Sequence, residues 1–395
     1  MPAANEATSV DTLHAERLLA IARERSGLAD MGDEVLEPLN RQLSAYRSEA
    51  QFSEAGLQAM IASLLDNLVM RLRLRDVIRR NPQIASEEVE GPFVIVGLSR
   101  SGTTKLQRVM AATGNFQFLP LWKLLNPLPL PGDEPAPDRR IAVAQSFVDG
   151  VKTAFPRFYA GHPMLATEPD EETLLFGSAF LSDAPCWMAR VPEYQRWFFS
   201  VDMESSYRWL RSVLQLLQRQ EQPAVRKRPW LLKAPAHLGR LDELFTVFPD
   251  AKIIHCHRDL FDVVPSSAAL AEAMRGFYSD RVDPLEAGRF AMAFLTENMQ
   301  RYLAARARWE NMGKTVIDLQ FAEISRDAND AAQRICERFG LPFHDDTRAG
   351  IRAWERANPA FKHGRFDYDL ERYRLSREEI RSAFVDYTRR FGVDC

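Results

Sequence analysis

Cysteine is scarce in this 395-residue chain. There are four (Cys186, Cys256, Cys336 and Cys395), far apart and with no C-x-x-C pair. That excludes a disulfide scaffold, argues against a structural zinc site, and fits a reducing cytoplasm. Long apolar runs are also missing. No window approaches the ~18 uninterrupted apolar residues of a membrane span, so none is expected. The first 20 residues lack a basic stretch followed by an apolar one, so no signal peptide is expected either. Neither sign of charge dominates: 51 Lys and Arg face 54 Asp and Glu, a net charge of −3, which speaks against a general nucleic-acid binder. Internal repeats and low-complexity tracts are absent. With 46% hydrophobic and 27% charged residues, the composition is that of a soluble, enzyme-sized globular protein with a sizeable core.

The patterning supplies an organisation. Residues 10–80 carry apolar residues at helical spacing, notably Leu57, Met60, Ile61, Leu64, Leu65, Leu68 and Leu72, and Asn81-Pro82 closes the region. Four short β-branched or aliphatic runs follow, at 92–97, 230–233, 251–256 and 315–319. Helical stretches are expected at 103–112, 139–155, 170–181, 203–220 and 238–248, with another beginning near 263–267. Strands separated by helices of this length predict βαβ units and a parallel sheet. The expected layout is a helical N-terminal extension (1–90) and one α/β domain (91–395). The proline-crowded segment 119–137 is too interrupted for a regular element and is expected to form a lid or pocket wall.

Three stretches carry chemistry. In Val96-Gly-Leu-Ser-Arg-Ser-Gly-Thr-Thr-Lys105, Gly97 and Gly102 have the spacing of a nucleotide-triphosphate loop, but Thr103 stands where that loop needs lysine. A strand entering a helix through such a turn aims backbone N–H groups and the helix dipole at one spot, which suits an anion. Arg100 adds charge; Ser101, Thr103 and Thr104 add hydroxyls. The plain alternative is a glycine turn capped by Thr103 or Thr104. In Trp230-Leu-Leu-Lys-Ala-Pro-Ala-His237, Lys233 and His237 fall at the carboxyl end of a strand, where open parallel sheets bind ligands. Otherwise they are a surface charge and a hydrogen-bonded histidine. In His257-Arg-Asp-Leu-Phe-Asp-Val-Val-Pro-Ser266, a guanidinium and a hydroxyl near a helix start suit a phosphate monoester. The alternative there is an Arg258–Asp262 ion pair with Ser266 as a helix cap. His255 and His257 share a strand face that Cys256 does not, and without further ligands no metal is expected.

Taken together and in this order, these motifs resemble the sulfotransferases that use 3′-phosphoadenosine 5′-phosphosulfate, more narrowly a bacterial branch. The resemblance runs from about 92 to 275 and continues weakly through 316–343 and 361–392. It implies a P-loop-like three-layer α/β fold with a central parallel sheet. It implies that Ser101, Gly102, Thr103 and Thr104 hold the 5′-phosphosulfate, and Arg258 and Ser266 the 3′-phosphate. It makes His237 the general base, and Lys233 and Arg100 the cations near the bridging oxygen. Three departures stand out. Arg100 replaces the usual lysine. Lys105 stands where many animal enzymes carry a tryptophan near the adenine. Lys362, Gly364 and Arg365 only faintly echo the glycine-rich C-terminal nucleotide loop.

The implied reaction is in-line sulfuryl transfer to a hydroxyl or amine, with no metal. A rival base lies in Thr167-Glu-Pro-Asp-Glu-Glu-Thr173, where Glu168 or Glu171 could serve, although Pro169 with nearby acids also reads as an ordinary helix start. Phe155, Phe158, Tyr159, Trp187, Trp197 and Phe198 point to an apolar small-molecule acceptor, unless they are core. Two other functions compete: a P-loop kinase or NTPase, which needs a lysine after Gly102 and an acidic Mg²⁺ ligand, and a non-catalytic helical interaction protein. Whether the chain forms a homo-oligomer is open.

Overall fold

The computed structural model describes residues 10–130, 132, 138–359 and 362–393. Cys395 and the part of the proline-rich segment at 131 and 133–137 lie outside the described residues.

Five strands form one all-parallel sheet: β1 (Phe93–Val96), β2 (Gln117–Phe118), β3 (Trp230–Lys233), β4 (Lys252–His257) and β5 (Val316–Gln320). Their spatial order is β2-β3-β1-β4-β5. The four expected strands are therefore present within a residue or two, and β2 is an addition too short to announce itself. β1 and β3 are buried throughout, which is why they read as unbroken apolar runs rather than alternating ones. Register places Ile95 level with Lys233, and Val96 level with His255, which is level with Asp318.

Alternate residues of each strand serve two separate cores. Val94, Val96, Leu232 and Ile253 face a large cluster that also contains the N-terminal helices α1 (Ala15–Ser26), α2 (Leu36–Ser48) and α3 (Glu54–Arg80). Phe93, Ile95, Leu231, Ile254 and Cys256 face a smaller cluster with α4 (Thr103–Ala111), the helix Ala328–Phe339 and Ile351. Helices thus cover both faces, giving the three-layer arrangement. The N-terminal helices share the body's core. Arg71 of α3, almost fully buried, donates to the carbonyls of Met31 and Ser178, tying the first helices to the middle of the chain.

Several helices differ from expectation. The 170–181 stretch is helical only at Thr173–Phe176, followed by a 3₁₀ turn at Gly177–Ala179. The 238–248 helix is a 3₁₀ segment, Pro235–Arg240, running into the helix Leu241–Val247. The helix expected near 263–267 begins at Leu260, because the Asp259 carboxylate caps it by accepting from Phe261 N–H. The long helix Pro284–Asn311 went unmarked in the sequence. Among the described residues no helix is long and apolar enough to cross a membrane. Cys186, Cys256 and Cys336 are buried free thiols.

Candidate active site

β1 is the switch point of the sheet, with β3 on one side and β4 on the other, so a crevice opens beyond its carboxyl end. The loop from Gly97 to Gly102 lies there and leads into α4. Two glycines are needed for it. A Cβ at Gly97 would collide with the Ser101 hydroxyl and lie 2.8 Å from the Cys256 carbonyl. Gly102 has φ +91°, and a Cβ there would run into the Phe321 ring. Gly102 caps α4 without a side-chain bond, so neither Thr103 nor Thr104 serves as the cap. The Ser101 hydroxyl, buried in the loop, has no hydrogen-bond partner among the described residues. An unpartnered buried hydroxyl beside an uncapped helix start has bonding capacity to give a ligand.

Arg100 adopts φ +75°, an uncommon left-handed conformation for a residue with a side chain. Its Nε donates to Ser266 Oγ at 3.0 Å, another nitrogen donates to the Gly161 carbonyl, and the guanidinium lies over the Phe366 ring. Arg258 donates to the Arg100 carbonyl at 3.0 Å, to Asp262 at 2.9 Å and to the Tyr368 hydroxyl at 3.4 Å. Arg100 thus touches both, Arg258 through its backbone carbonyl and Ser266 through its side chain. The Arg258–Asp262 ion pair exists as well, but Ser266 is not a cap: it sits in the second turn of the helix Leu260–Arg275. Burial, and then the nearby charge of Arg258, holds the Arg100 pKa below the usual guanidinium range. Two like charges brought this close favour an anion between or beside them.

On the other side of the crevice, Lys233 is fully buried rather than a surface charge. Its Nζ donates to Glu171 at 2.7 Å and to Thr104 Oγ1 at 3.2 Å, linking the end of β3 to the phosphate-loop helix. His237 is also fully buried. Its Nδ1 lies 2.8 Å from the Tyr207 hydroxyl and its Nε2 2.6 Å from Glu172 Oε1. The other oxygen of Glu172 accepts from Lys233 N–H at 3.0 Å. An arrangement with Tyr207 donating to Nδ1, and Nε2–H donating to Glu172, satisfies every polar atom in the set. His237 therefore has no free nitrogen to offer, a different setting from the one expected of a base.

The acids at 168–172 do not open a helix at Pro169. That proline pairs with Pro120 in an isolated antiparallel bridge, and the chain then turns Asp170, Glu171 and Glu172 inward. Burial alone would raise the Asp170 pKa. A hydrogen bond from His162, with the charges of His162, Lys233 and Arg108, instead holds it well below the usual carboxylate range. Glu168 contributes through its backbone carbonyl, which accepts from Leu121 N–H. Asp170 and Glu172 are buried, whereas Glu171, bonded to Lys233, keeps its side chain 20% exposed. Sequence reasoning missed Glu172 and Tyr207, along with Phe366 and Tyr368, which bring the C-terminal chain onto the two arginines. Lys362 instead donates to Ala357 and Asn358, and Lys105 pairs with Glu355 at 3.7 Å.

The six aromatic residues expected around an acceptor belong to the core or pack against it. Trp187 and Phe198 are core, and Phe155 and Trp197 pack against it. Phe158 and Tyr159, also largely buried, belong to the short helix Pro156–Gly161, whose last residue receives the Arg100 bond.

A second cluster lies on β4 and β5. The His255 and His257 rings, on one face as expected, are 3.9 Å apart and approach Asp318. Arg306 grips Asp318 with two nitrogens at 2.9 and 3.0 Å, a cation occupying the carboxylate that a metal would need.

The sulfotransferase family model matches residues 92–345. Among solved structures, the sulfotransferase STF1 of Mycobacterium tuberculosis is 26% identical, with 96% of this chain and 100% of that chain covered and a TM-score of 0.79. The sulfotransferase STF9 of Mycobacterium avium is 25% identical over 97% of each chain, with a TM-score of 0.85. No curated protein matches the sequence. With the family match spanning most of the chain and centred on this crevice, the chain belongs to the sulfotransferase family.

Proposed function

We propose that the protein transfers a sulfuryl group from 3′-phosphoadenosine 5′-phosphosulfate to a hydroxyl or amine of a small acceptor. The observation carrying this reading is the loop at 100–104: an uncapped helix start, the unpartnered Ser101 hydroxyl, and two arginines held against one another. Ser101, Gly102, Thr103 and Thr104 would hold the 5′-phosphosulfate through backbone N–H groups and hydroxyls. Arg258 and Ser266, joined through Arg100, would hold the 3′-phosphate. These residues suit a nucleotide with two separate anionic groups better than a triphosphate, because no lysine follows Gly102.

During transfer, negative charge grows on the leaving phosphate. Lys233, with Thr104 and the loop amides, is placed to stabilise it without rearrangement. Glu171 accepts the acceptor's proton. It is the one partly open carboxylate beside Lys233, whereas both nitrogens of His237 are engaged. His237 acts instead as a positioning residue: with Tyr207 it fixes Glu172, and Glu172 fixes the backbone of Lys233.

Thermal-shift titration tests the donor assignment. Adenosine 3′,5′-bisphosphate should raise Tm, by about 2.7 kcal/mol of stabilisation at a hundredfold excess over Kd, while ATP with Mg²⁺ leaves it unchanged. Stabilisation by ATP–Mg²⁺ alone would transfer the assignment to a kinase or NTPase.

A further inference from the structure

Away from the crevice, a cavity of about 570 Å³ lies between α3, the helix Glu204–Gln220 and the chain at 126–130. That is the size of a small-molecule site. Its walls are apolar: Leu28, Met70, Val77, Ile84, Leu128 and Leu216. Gln218, two residues before the lining Gln220, accepts from Trp230, the first residue of β3; Lys233 is the last. The helix Glu204–Gln220 reaches from Tyr207 at His237 to Gln220 at the cavity, so roughly 20 Å of helix separates the two places.

Three charged residues border the cavity, and two are neutralised. Asp76 turns to Arg79 and Arg80, and Arg219 pairs with Glu87 at 3.0 Å. Arg73 is exposed, lies one turn from Met70 and Val77 on the same strip of α3, and has no counter-ion among the described residues. An apolar cavity with one unmatched cation at its edge is complementary to a hydrocarbon chain ending in a single negative charge.

The wall is also connected to the crevice. Residues 126–130 follow the short helix Leu121–Leu125, and the chain just before and at its start pairs antiparallel with 166–170. Leu121 N–H donates to the Glu168 carbonyl and Trp122 N–H to the Ala166 carbonyl at 3.1 Å, while Asp170 N–H donates to the Leu119 carbonyl at 3.0 Å. Glu171 is the next residue. We propose that the cavity binds a single-chain anionic amphiphile, and that its occupancy stiffens the 119–122/166–170 pairing that carries Glu171.

The test uses the full chain with dodecanoate as probe, below its micellar concentration, and dodecanol as the uncharged control. Calorimetry should show saturable one-to-one binding of dodecanoate. Arg73→Gln, an exposed change, should weaken dodecanoate about three- to tenfold and leave dodecanol unaffected. Leu128→Trp, on the irregular wall, should abolish both, with an unchanged Tm showing that the fold survives. Hydrogen exchange at the amides of Leu121, Trp122 and Asp170 should slow when dodecanoate binds. Lack of saturable binding, or binding that both variants leave intact, overturns the site. Binding without slower exchange overturns the connection. None of these readouts uses turnover, so they stand or fall apart from the sulfuryl-transfer reading.

Discussion

Two buried histidine–carboxylate–tyrosine clusters sit on either side of β1, one past the end of β3 and one on β4 and β5. Beyond β3, His237 lies between Glu172 and Tyr207. On β4, His257 lies between Asp318 and Tyr387, and His255 bonds Tyr302. They are built from similar side chains and each lies near an unpartnered buried atom, Ser101 Oγ for the first and His255 Nε2 for the second. Next to the first stand Lys233, the partly open Glu171 and the glycine loop; next to the second stands Arg306, which closes Asp318 with two bonds. A buried histidine–acid pair is thus a poor marker of an active site. Its neighbours decide whether it supports chemistry or holds the sheet together.

The sharpest way to break this contrast is at Glu171. Glu171→Gln should lower kcat by about 10²–10⁴-fold if this carboxylate takes the proton, with adenosine bisphosphate affinity nearly unchanged. Single-turnover kinetics and calorimetry together measure both; a near-normal kcat would return the base to another group. Glu172→Gln should do less to the chemistry, about tenfold, because the amide still accepts from Lys233 N–H while losing its charge towards His237. It should lower Tm by a few degrees, whereas Glu171→Gln acts chiefly on rate.

At the other cluster the effects should fall on stability alone. Arg306→Met should cost about 1–3 kcal/mol in urea unfolding, less than for a fully buried pair because Asp318 is a third exposed, with KM unaltered. The smallest effect concerns pH. Burial first, then neighbouring positive charge, pushes the His255 pKa well down, and burial lowers that of His257 despite Asp318. The unfolded chain therefore takes up protons before the folded one does. Stability is full above the unfolded imidazole pKa of about 6.5 and declines as pH falls below it. Urea midpoints at pH 7.5 and 5.5 should differ less in His255→Phe than in the wild type.

The parallel sheet was legible because strands buried on both faces must be apolar along their whole length, and glycine or lysine ended them visibly. The turn from β1 into α4 was legible because its glycines stand at a fixed local spacing. Arg258 and Ser266 could be paired by their chemistry near a helix start, but their link through Arg100 depends on contacts more than 150 residues apart in sequence. The acids around Pro169 misled because a helix start and an inward-turning chain use the same residues; what separates them is the Pro120 bridge, a tertiary contact. Glu172 was hidden for the same reason, since its partners lie 61 and 65 residues downstream. Tyr207 looked like one more residue of a helix's apolar face.

The two anchoring arginines have a consequence for how the protein matures. Arg100 needs Gly161, Ser266 and Phe366, and Arg258 needs Arg100 and Tyr368. No fragment ending before Tyr368 contains this set. Under the proposed function, the donor would then stabilise only chains synthesised through that residue, passing over shorter ones.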